Sequence, residues 1–75
     1  MLEVRISYRQ DQKDQRTLCY VKDEDQLEAL VSEMAYAYKN PMIDMFDETR
    51  TCWGITAKKE GEKEFFNIYI DGYQV

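Results

Sequence analysis

The sequence predicts an α+β fold, in which a single helix packs on one face of a small antiparallel sheet, in the order β-β-α-β-β(-β). Three observations predict it: the opening residues alternate between apolar and polar, the middle has helical periodicity, and the last third alternates again between turn signals. Seventy-five residues, of which 44% are hydrophobic, suffice for one core. We therefore expect a single domain over residues 1–75.

The first two strands are predicted to form an antiparallel hairpin. Apolar and polar side chains alternate over residues 2–9, a pattern typical of a half-buried strand. Residues 10–15 are wholly polar, and residues 17–21 have the composition of a second strand. We expect Leu18 and Tyr20 to face the core, unless a bulge reverses the alternation.

The helix is predicted to begin at Asp23 or Asp25 and to end before Pro41. Either aspartate can cap the helix, because a glutamine or glutamate follows three residues later. Apolar residues recur at helical spacing over residues 27–38 and form one stripe. Pro41 disfavours the α conformation of the residue before it, so we expect the helix to end there.

A β-meander is predicted for the remainder of the chain. The strands are expected at residues 42–46, 51–58 and 64–70. Gly61 is expected to take a positive φ in a tight loop over residues 59–62. Asp71-Gly72 indicates a second turn before a short tail. Gly54 lies inside a strand, where we expect a bulge in preference to a close backbone approach.

The core is predicted from the apolar faces of these elements. Packing the helix on the sheet is expected to bury Val4, Ile6, Tyr20, Leu27, Leu30, Val31, Met34, Tyr38, Trp53, Ile55, Phe66 and Ile68. The opposite sheet face is expected to be wetter. On it we expect Arg5, Arg9, Phe65 and Tyr69 to lie together.

Catalysis, metal binding and cofactor binding find little support. Histidine is absent, so a nucleophile lacks its usual activating base. Carboxylate pairs such as Asp44 with Asp47 have polar, turn-like neighbours, which is typical of solvated surface residues. Residues 23–25 are acidic but lack the calcium-loop pattern, and the three glycines are too far apart for a phosphate loop. We expect no enzyme, no metal site and no cofactor.

The two cysteines and the absence of apolar segments bear on the compartment. Cys19 and Cys52 are too few for a disulfide framework, so we expect unpaired packing residues, with a bridge between neighbouring strands as the alternative. No segment has the length and apolar character of a membrane span, and the N-terminus lacks the apolar block of a signal peptide. These features predict a cytoplasmic protein with no membrane partner.

Acidic charge is concentrated in the middle third of the chain. Residues 23–48 hold eight acidic residues and one basic residue, a net charge of −7. Residues 1–22 have a net charge of +2, and residues 49–75 have a net charge of zero. We expect these residues to form an exposed acidic side with one aromatic anchor. The residues of this predicted acidic side are Asp23, Glu24, Asp25, Glu28, Glu33, Tyr36, Asp44, Asp47 and Glu48.

These features predict a small acidic, non-enzymatic protein-binding module whose partner is another protein with a basic surface. One form of this hypothesis is an inhibitor that presents its acidic helix to a nucleic-acid-binding groove as a DNA mimic. Some phage and mobile-element proteins are of this type, although no motif ties the chain to them. One alternative is a homodimeric structural or accessory module that pairs through a sheet edge or the open sheet face. The other is a weak RNA or single-stranded DNA binder, which the net charge of −5 disfavours.

Overall fold

The computed structural model describes residues 1–58 and 61–75. Its elements are β1 (Leu2–Ser7), β2 (Arg16–Val21), α1 (Glu24–Ala35), β3 (Lys39–Met45), β4 (Cys52–Lys58) and β5 (Phe65–Gln74). Every strand pair is antiparallel, and the sheet order is β2-β1-β5-β4-β3. One helix packs against one face of this open sheet, which confirms the predicted fold class and element order. The edges are β2 and β3.

The core lies between α1 and the sheet face that it covers. Its buried side chains are Leu2, Val4, Ile6, Val21, Leu27, Val31, Ala35, Trp53, Ile55, Ala57, Ile68 and Ile70. Leu30, Met34, Tyr38 and Phe66, which were predicted as core, pack against its margin and are only partly buried. Burying one large aliphatic side chain contributes roughly 1.5–3 kcal/mol, so Leu27 and Val31 hold the helix to the sheet.

The helix begins at one of the two predicted cap residues. Asp23 is the N-cap, and its carboxylate accepts a hydrogen bond of 2.9 Å from the Gln26 amide. The Gln26 side chain turns back and accepts from the amide of Lys22. The first bond satisfies a helix amide that has no partner within the helix, and the second satisfies the amide of the residue before the cap.

The helix ends at Ala35, so the prediction that it continues to residue 40 is wrong. The amides of Ala37 and Tyr38 bond to the carbonyls of Met34 and Ala35 in a tighter final turn. The chain then enters β3 at Lys39, before the proline. Pro41 is tolerated there because an edge strand leaves one side of its backbone free of ladder bonds.

In β2 the predicted alternation is wrong. Tyr20 pairs with Glu3 and points to the open face, where it is 58% exposed, while Val21 pairs with Leu2 and faces the core. A register shift between β1 and β2 leaves Leu18 opposite no residue of β1, and its side chain is exposed. The prediction for β2 named such a bulge as the feature that would reverse the alternation.

Two glycines behave differently from expectation. Asp71-Gly72 is not a turn, because β5 continues through it and Gly72 pairs with Val4. Gly54 pairs in regular register with no bulge beside it, and the side chain of Phe46 occupies the space next to its α-carbon. A β-carbon at Gly72 would likewise lie 3.0 Å from Cδ2 of Leu27, so close approach by a neighbouring side chain explains both positions.

The predicted loop over residues 59–62 is described only in part. Its first two residues lie outside the described residues, and Gly61 has the expected positive φ, at 82°. Within residues 1–58 and 61–75, no helix is both long enough and apolar enough to cross a membrane.

Candidate functional site

The acidic residues on α1 do not form one continuous face. Asp25 and Glu28 lie beside Arg50, whose guanidinium is 2.8 Å from the Asp25 carboxylate and 3.4 Å from that of Glu28. Glu33 lies about 140° around the helix from Glu28, as their five-residue spacing dictates. Arg50 therefore partly neutralises one flank, and the pattern of helix residues alone does not reveal this.

The other members of the predicted acidic side differ in their location. Asp23 is the helix cap, Glu24 lies in the first turn, and Tyr36 is the C-cap residue, with a side chain that is 84% exposed. Asp44 pairs with Gly54 and so points to the open sheet face, away from α1. The expectation that it lies alongside the helix acids is therefore wrong.

Asp47 and Glu48 follow β3 in the turn that leads to β4. Asp47 shapes this turn, because its side chain accepts from the Thr49 amide and its carbonyl accepts from the Arg50 amide. In the part of the chain that the structure describes, no lysine or arginine forms an ion pair with Asp44, Asp47 or Glu48. These three carboxylates thus form the uncompensated part of the acidic charge around β3.

The open face carries three of the four residues predicted for it. Arg5, Tyr69 and Phe65 lie on this face of β1 and β5. Arg9 does not, because β1 ends at Ser7 and the Arg9 side chain binds Asp11 in the following loop, at 2.7 Å. The prediction that the alternation of β1 continues through Arg9 is therefore wrong.

Two cations of the open face, Arg5 and Lys58, are already engaged. The Arg5 guanidinium lies 4.3 Å from the ring centroid of Tyr73 and 3.0 Å from the carboxylate of Glu3. The Lys58 ammonium lies 4.4 Å from the ring centroid of Phe65. A phosphate would therefore compete with ring and carboxylate contacts for both charges.

A polar cluster ties the loop after β1 to the open face. The buried carboxylate of Asp71 accepts hydrogen bonds from Gln12, at 2.8 Å, and Gln15, at 3.2 Å. Beside it, burial and the Asp71 carboxylate raise the pKa of the Cys52 thiol to about 12. Cys52 is protonated at neutral pH and is a poor nucleophile. The cluster therefore serves to hold the loop against the sheet and offers no reactive nucleophile.

The cysteines and carboxylates form no other reactive group in the described part. Cys19 and Cys52 are both free thiols, and they lie on β2 and β4, with two strands between them. No group of three or more histidine, cysteine, aspartate or glutamate residues within residues 1–58 and 61–75 is arranged to hold a metal ion.

The edge strand β3 is the most unusual surface of the molecule. Six of its seven residues are exposed. Four large apolar side chains are exposed along it and just beyond its end: Met42, Ile43, Met45 and Phe46. Ile43 and Met45 lie on the helix side of the sheet, and Met42 and Phe46 lie on its open face. Exposed apolar side chains concentrated along one edge strand are typical of a binding site. Together with Asp44, Asp47 and Glu48, these side chains form what we call the β3 surface.

The backbone of β3 has a defined polarity. The Phe46 amide donates to the Cys52 carbonyl at 2.8 Å, and Asp44 pairs with Gly54 in the same register. Residues of an antiparallel strand alternate between bonding inward and facing outward. The amides and carbonyls of Ile43 and Met45 consequently point away from β4, at the open edge of the sheet.

The apolar character of the β3 surface could be seen in the sequence, but its exposure could not. Residues 42–46 include four large apolar residues on both faces of a predicted strand, an unusual pattern for a strand with one wet face. That the strand is an edge depends on the order of the sheet, in which β5 inserts between β1 and β4. Local sequence does not contain this order.

Fold and surface together define a class: a small protein with one helix on an antiparallel sheet and an exposed apolar edge strand. No family model, curated protein or solved structure matches the chain. The basis for a function is therefore the chemistry of its own surface.

Proposed function

We propose that the chain is a small acidic, non-enzymatic, cytoplasmic protein-binding module, that its partner is a protein with a basic surface, and that it binds through the β3 surface. The single observation that carries this proposal is the exposure of four large apolar side chains along an edge strand, next to three carboxylates that have no ion pair in the described part.

The apolar side chains supply the driving force for association. Full burial of a methionine or phenylalanine side chain contributes roughly 1.5–3 kcal/mol. The four side chains are only about half exposed, so each contributes less than this on binding, and together they offset part of the loss of translational and rotational freedom. Asp44, Asp47 and Glu48 supply charge selectivity, because uncompensated carboxylates attract a basic partner and repel an acidic one. Apolar contact thus supplies affinity and charge selects a basic partner, and both act at the same strand edge.

The inhibitor that presents its helix as a DNA mimic stays a prediction and has less geometric support. Arg50 neutralises part of the flank formed by Asp25 and Glu28, and Glu33 faces another direction. Tyr36 remains an exposed aromatic anchor at the end of the helix, but it is separated from most of the acids by the length of α1. An apolar strand edge is a stronger basis for binding than dispersed carboxylates.

A nucleic-acid partner has little support from the open face. Tyr69, Phe65 and Tyr73 lie there, but Arg5 and Lys58 are engaged with rings or carboxylates of the same face. Binding to a phosphate backbone draws most of its affinity from free cations. Protein binding therefore fits the surface chemistry better.

The proposal is tested with two charge-reversal variants of the tagged chain in extracts of its native host. The first carries Asp44→Lys, Asp47→Lys and Glu48→Lys; the second carries Asp25→Lys, Glu28→Lys and Glu33→Lys, an equal change in charge on the helix. Circular dichroism verifies that both are folded. We expect the first variant to lose a basic protein that the wild type and the second variant retain. Loss with the helix variant alone, or with neither variant, would contradict the proposal.

A further inference from the structure

We propose that β3 accepts its partner by strand addition: an extended segment of the partner pairs with the outward backbone of Ile43 and Met45 and places a lysine or arginine opposite Asp44. The inference rests on the proposed function, because it specifies how the β3 surface binds a basic protein. Extended peptides commonly bind an exposed sheet edge through main-chain hydrogen bonds, with side chains providing the selectivity.

The backbone of β3 determines where the segment pairs. The inward bonds of Asp44 and Phe46 belong to the ladder with β4, and the outward groups belong to Ile43 and Met45. Pro41 has no amide, and the register shifts between Lys39 and Met42, so regular pairing cannot continue towards the start of the strand. The free ladder is therefore short and lies over residues 43–45.

The side chains of β3 determine what the segment contains. Ile43 and Met45 point to the helix side of the sheet, where they are partly exposed and require apolar residues opposite them. Asp44 points to the open face, where a lysine or arginine opposite it forms a cross-strand ion pair. The segment should thus alternate apolar and basic residues, and further basic residues would lie near Asp47 and Glu48.

A second copy of the chain is a poorer occupant of this edge. A symmetric pair centred on Asp44 would place two aspartates directly opposite each other, which is destabilising. Centring the pair on Ile43 would put Met45 opposite Pro41, which has no amide to donate. If Met45 is the centre, Ile43 lies opposite the carboxylate of Asp47. Each copy also carries a net charge of −5, which adds repulsion in every register.

The other sheet edge does not offer the same site. In β2, the bulge at Leu18 interrupts the alternation of the strand, and a bulged edge resists further pairing. Arg16 and Lys22 lie at its two ends and would repel a basic segment. Strand addition by a basic segment is therefore expected at β3 only.

The experiment titrates the chain with a capped synthetic peptide in which valine and lysine alternate. One control peptide has glutamate in place of lysine, and a second has the same composition with the lysines in one block. We expect the alternating basic peptide to bind the chain and both controls to bind at least roughly tenfold more weakly. Failure of the alternating basic peptide to bind, or equal binding of the block peptide, would overturn the inference.

A matched pair of variants tests the backbone bond itself. Met45→Pro removes the outward amide, and Met45→Ala shortens the same side chain but keeps the amide. Because a carbonyl of the peptide would be left without its donor, we expect Met45→Pro to bind the peptide roughly tenfold more weakly than Met45→Ala. If Met45→Pro does not fold, the test uses wild-type protein and a peptide N-methylated at alternate residues, with the same expected loss.

The outcomes separate the two proposals. If reversal of Asp44, Asp47 and Glu48 abolishes peptide binding while Met45→Pro and Met45→Ala bind equally, the charged surface is right and strand addition is wrong. If charge reversal has no effect on binding, the proposed function itself fails. A dimer in sedimentation equilibrium that Met45→Pro dissociates would identify a second copy as the occupant and overturn the inference.

Discussion

The aromatic ring of Phe46 lies directly over Gly54, so that a β-carbon at Gly54 would be 2.6 Å from Cε2 of Phe46. Gly54 is buried beneath the ring, although the Phe46 side chain is itself 58% exposed. Glycine at this position thus lets an aromatic side chain from the end of β3 lie close against the open face of β4. The contact places the Phe46 ring at one end of the β3 surface.

We expect Gly54→Ala to displace the Phe46 ring at little cost in stability. The ring is the far end of an exposed side chain and can move away, while alanine in a strand recovers about 0.5–1 kcal/mol relative to glycine. The net change in the free energy of unfolding should therefore be below about 1 kcal/mol. Chemical denaturation measures it, and a loss of several times that value would show that the ring is held rigidly.

Gly72→Ala is the matched substitution in the core, and we expect it to be more destabilising. A β-carbon there would be 3.0 Å from Cδ2 of Leu27 and 3.4 Å from Cδ1 of Leu2, and both of these side chains are buried. Overpacking a core costs about 1–3 kcal/mol, because side chains or backbone must shift. Denaturation should give a larger loss than for Gly54→Ala. The opposite order would contradict the assigned packing of α1 over β5.

Cys52 is expected to resist alkylation in the folded chain. Burial, followed by the neighbouring Asp71, raises the pKa of its thiol from 9.0 to about 12, so the reactive thiolate is scarce. Mass spectrometry after iodoacetamide treatment at mildly alkaline pH should show slow labelling of Cys52, faster labelling in Asp71→Asn, and fast labelling after unfolding. Because the pKa is raised on folding, stability from this group is present below pH 9.0 and falls as the pH rises towards 12. Labelling of Cys52 at the unfolded rate would refute this description.

Asp14 should contribute to the loss of stability in acid. The buried Ser7 hydroxyl and then the Tyr8 amide donate hydrogen bonds to its carboxylate, which holds the pKa of Asp14 below its ordinary value of 3.8. A lowered pKa gives stability that is present above pH 3.8 and lost as the pH falls through the folded value.

We expect Asp14→Asn to flatten this acid limb of the stability profile, measured by denaturation across the acidic range. Asp44→Asn makes the same change in charge at an exposed position of β3 and controls for charge alone. Profiles of equal steepness in the wild type and Asp14→Asn would exclude the contribution of the carboxylate.

The local features of the fold could be predicted from the sequence. Alternation in β1 and helical spacing from Leu27 to Ala35 identified which residues face the core, and Asp23 was the correct one of two candidates for the cap. The errors occurred where nonlocal packing outweighs local preference. Pro41 suggested a helix end but lies in an edge strand, and Asp71-Gly72 suggested a turn but continues β5 under Leu27.

The candidate site was less predictable than the fold. Composition located the acidic charge in the middle third of the chain. The side of the sheet on which Asp44 lies depends on its pairing with Gly54. The neutralisation of Asp25 depends on Arg50, which is distant in sequence. The exposure of β3 follows from its position at the edge, which only the order of the whole sheet determines. Pairing across the sheet is therefore the information that single-sequence patterns lack.

The central claim, that β3 is the binding edge, is tested most directly by amide hydrogen exchange resolved by nuclear magnetic resonance. In the free chain, the outward amides of Ile43 and Met45 should exchange rapidly, while the inward amide of Phe46 is protected by the Cys52 carbonyl. Adding the alternating valine–lysine peptide should protect Ile43 and Met45 and leave exposed helix residues such as Glu33 unchanged. Saturating peptide that leaves both β3 amides unprotected, or that alters exchange on the helix instead, would contradict the claim.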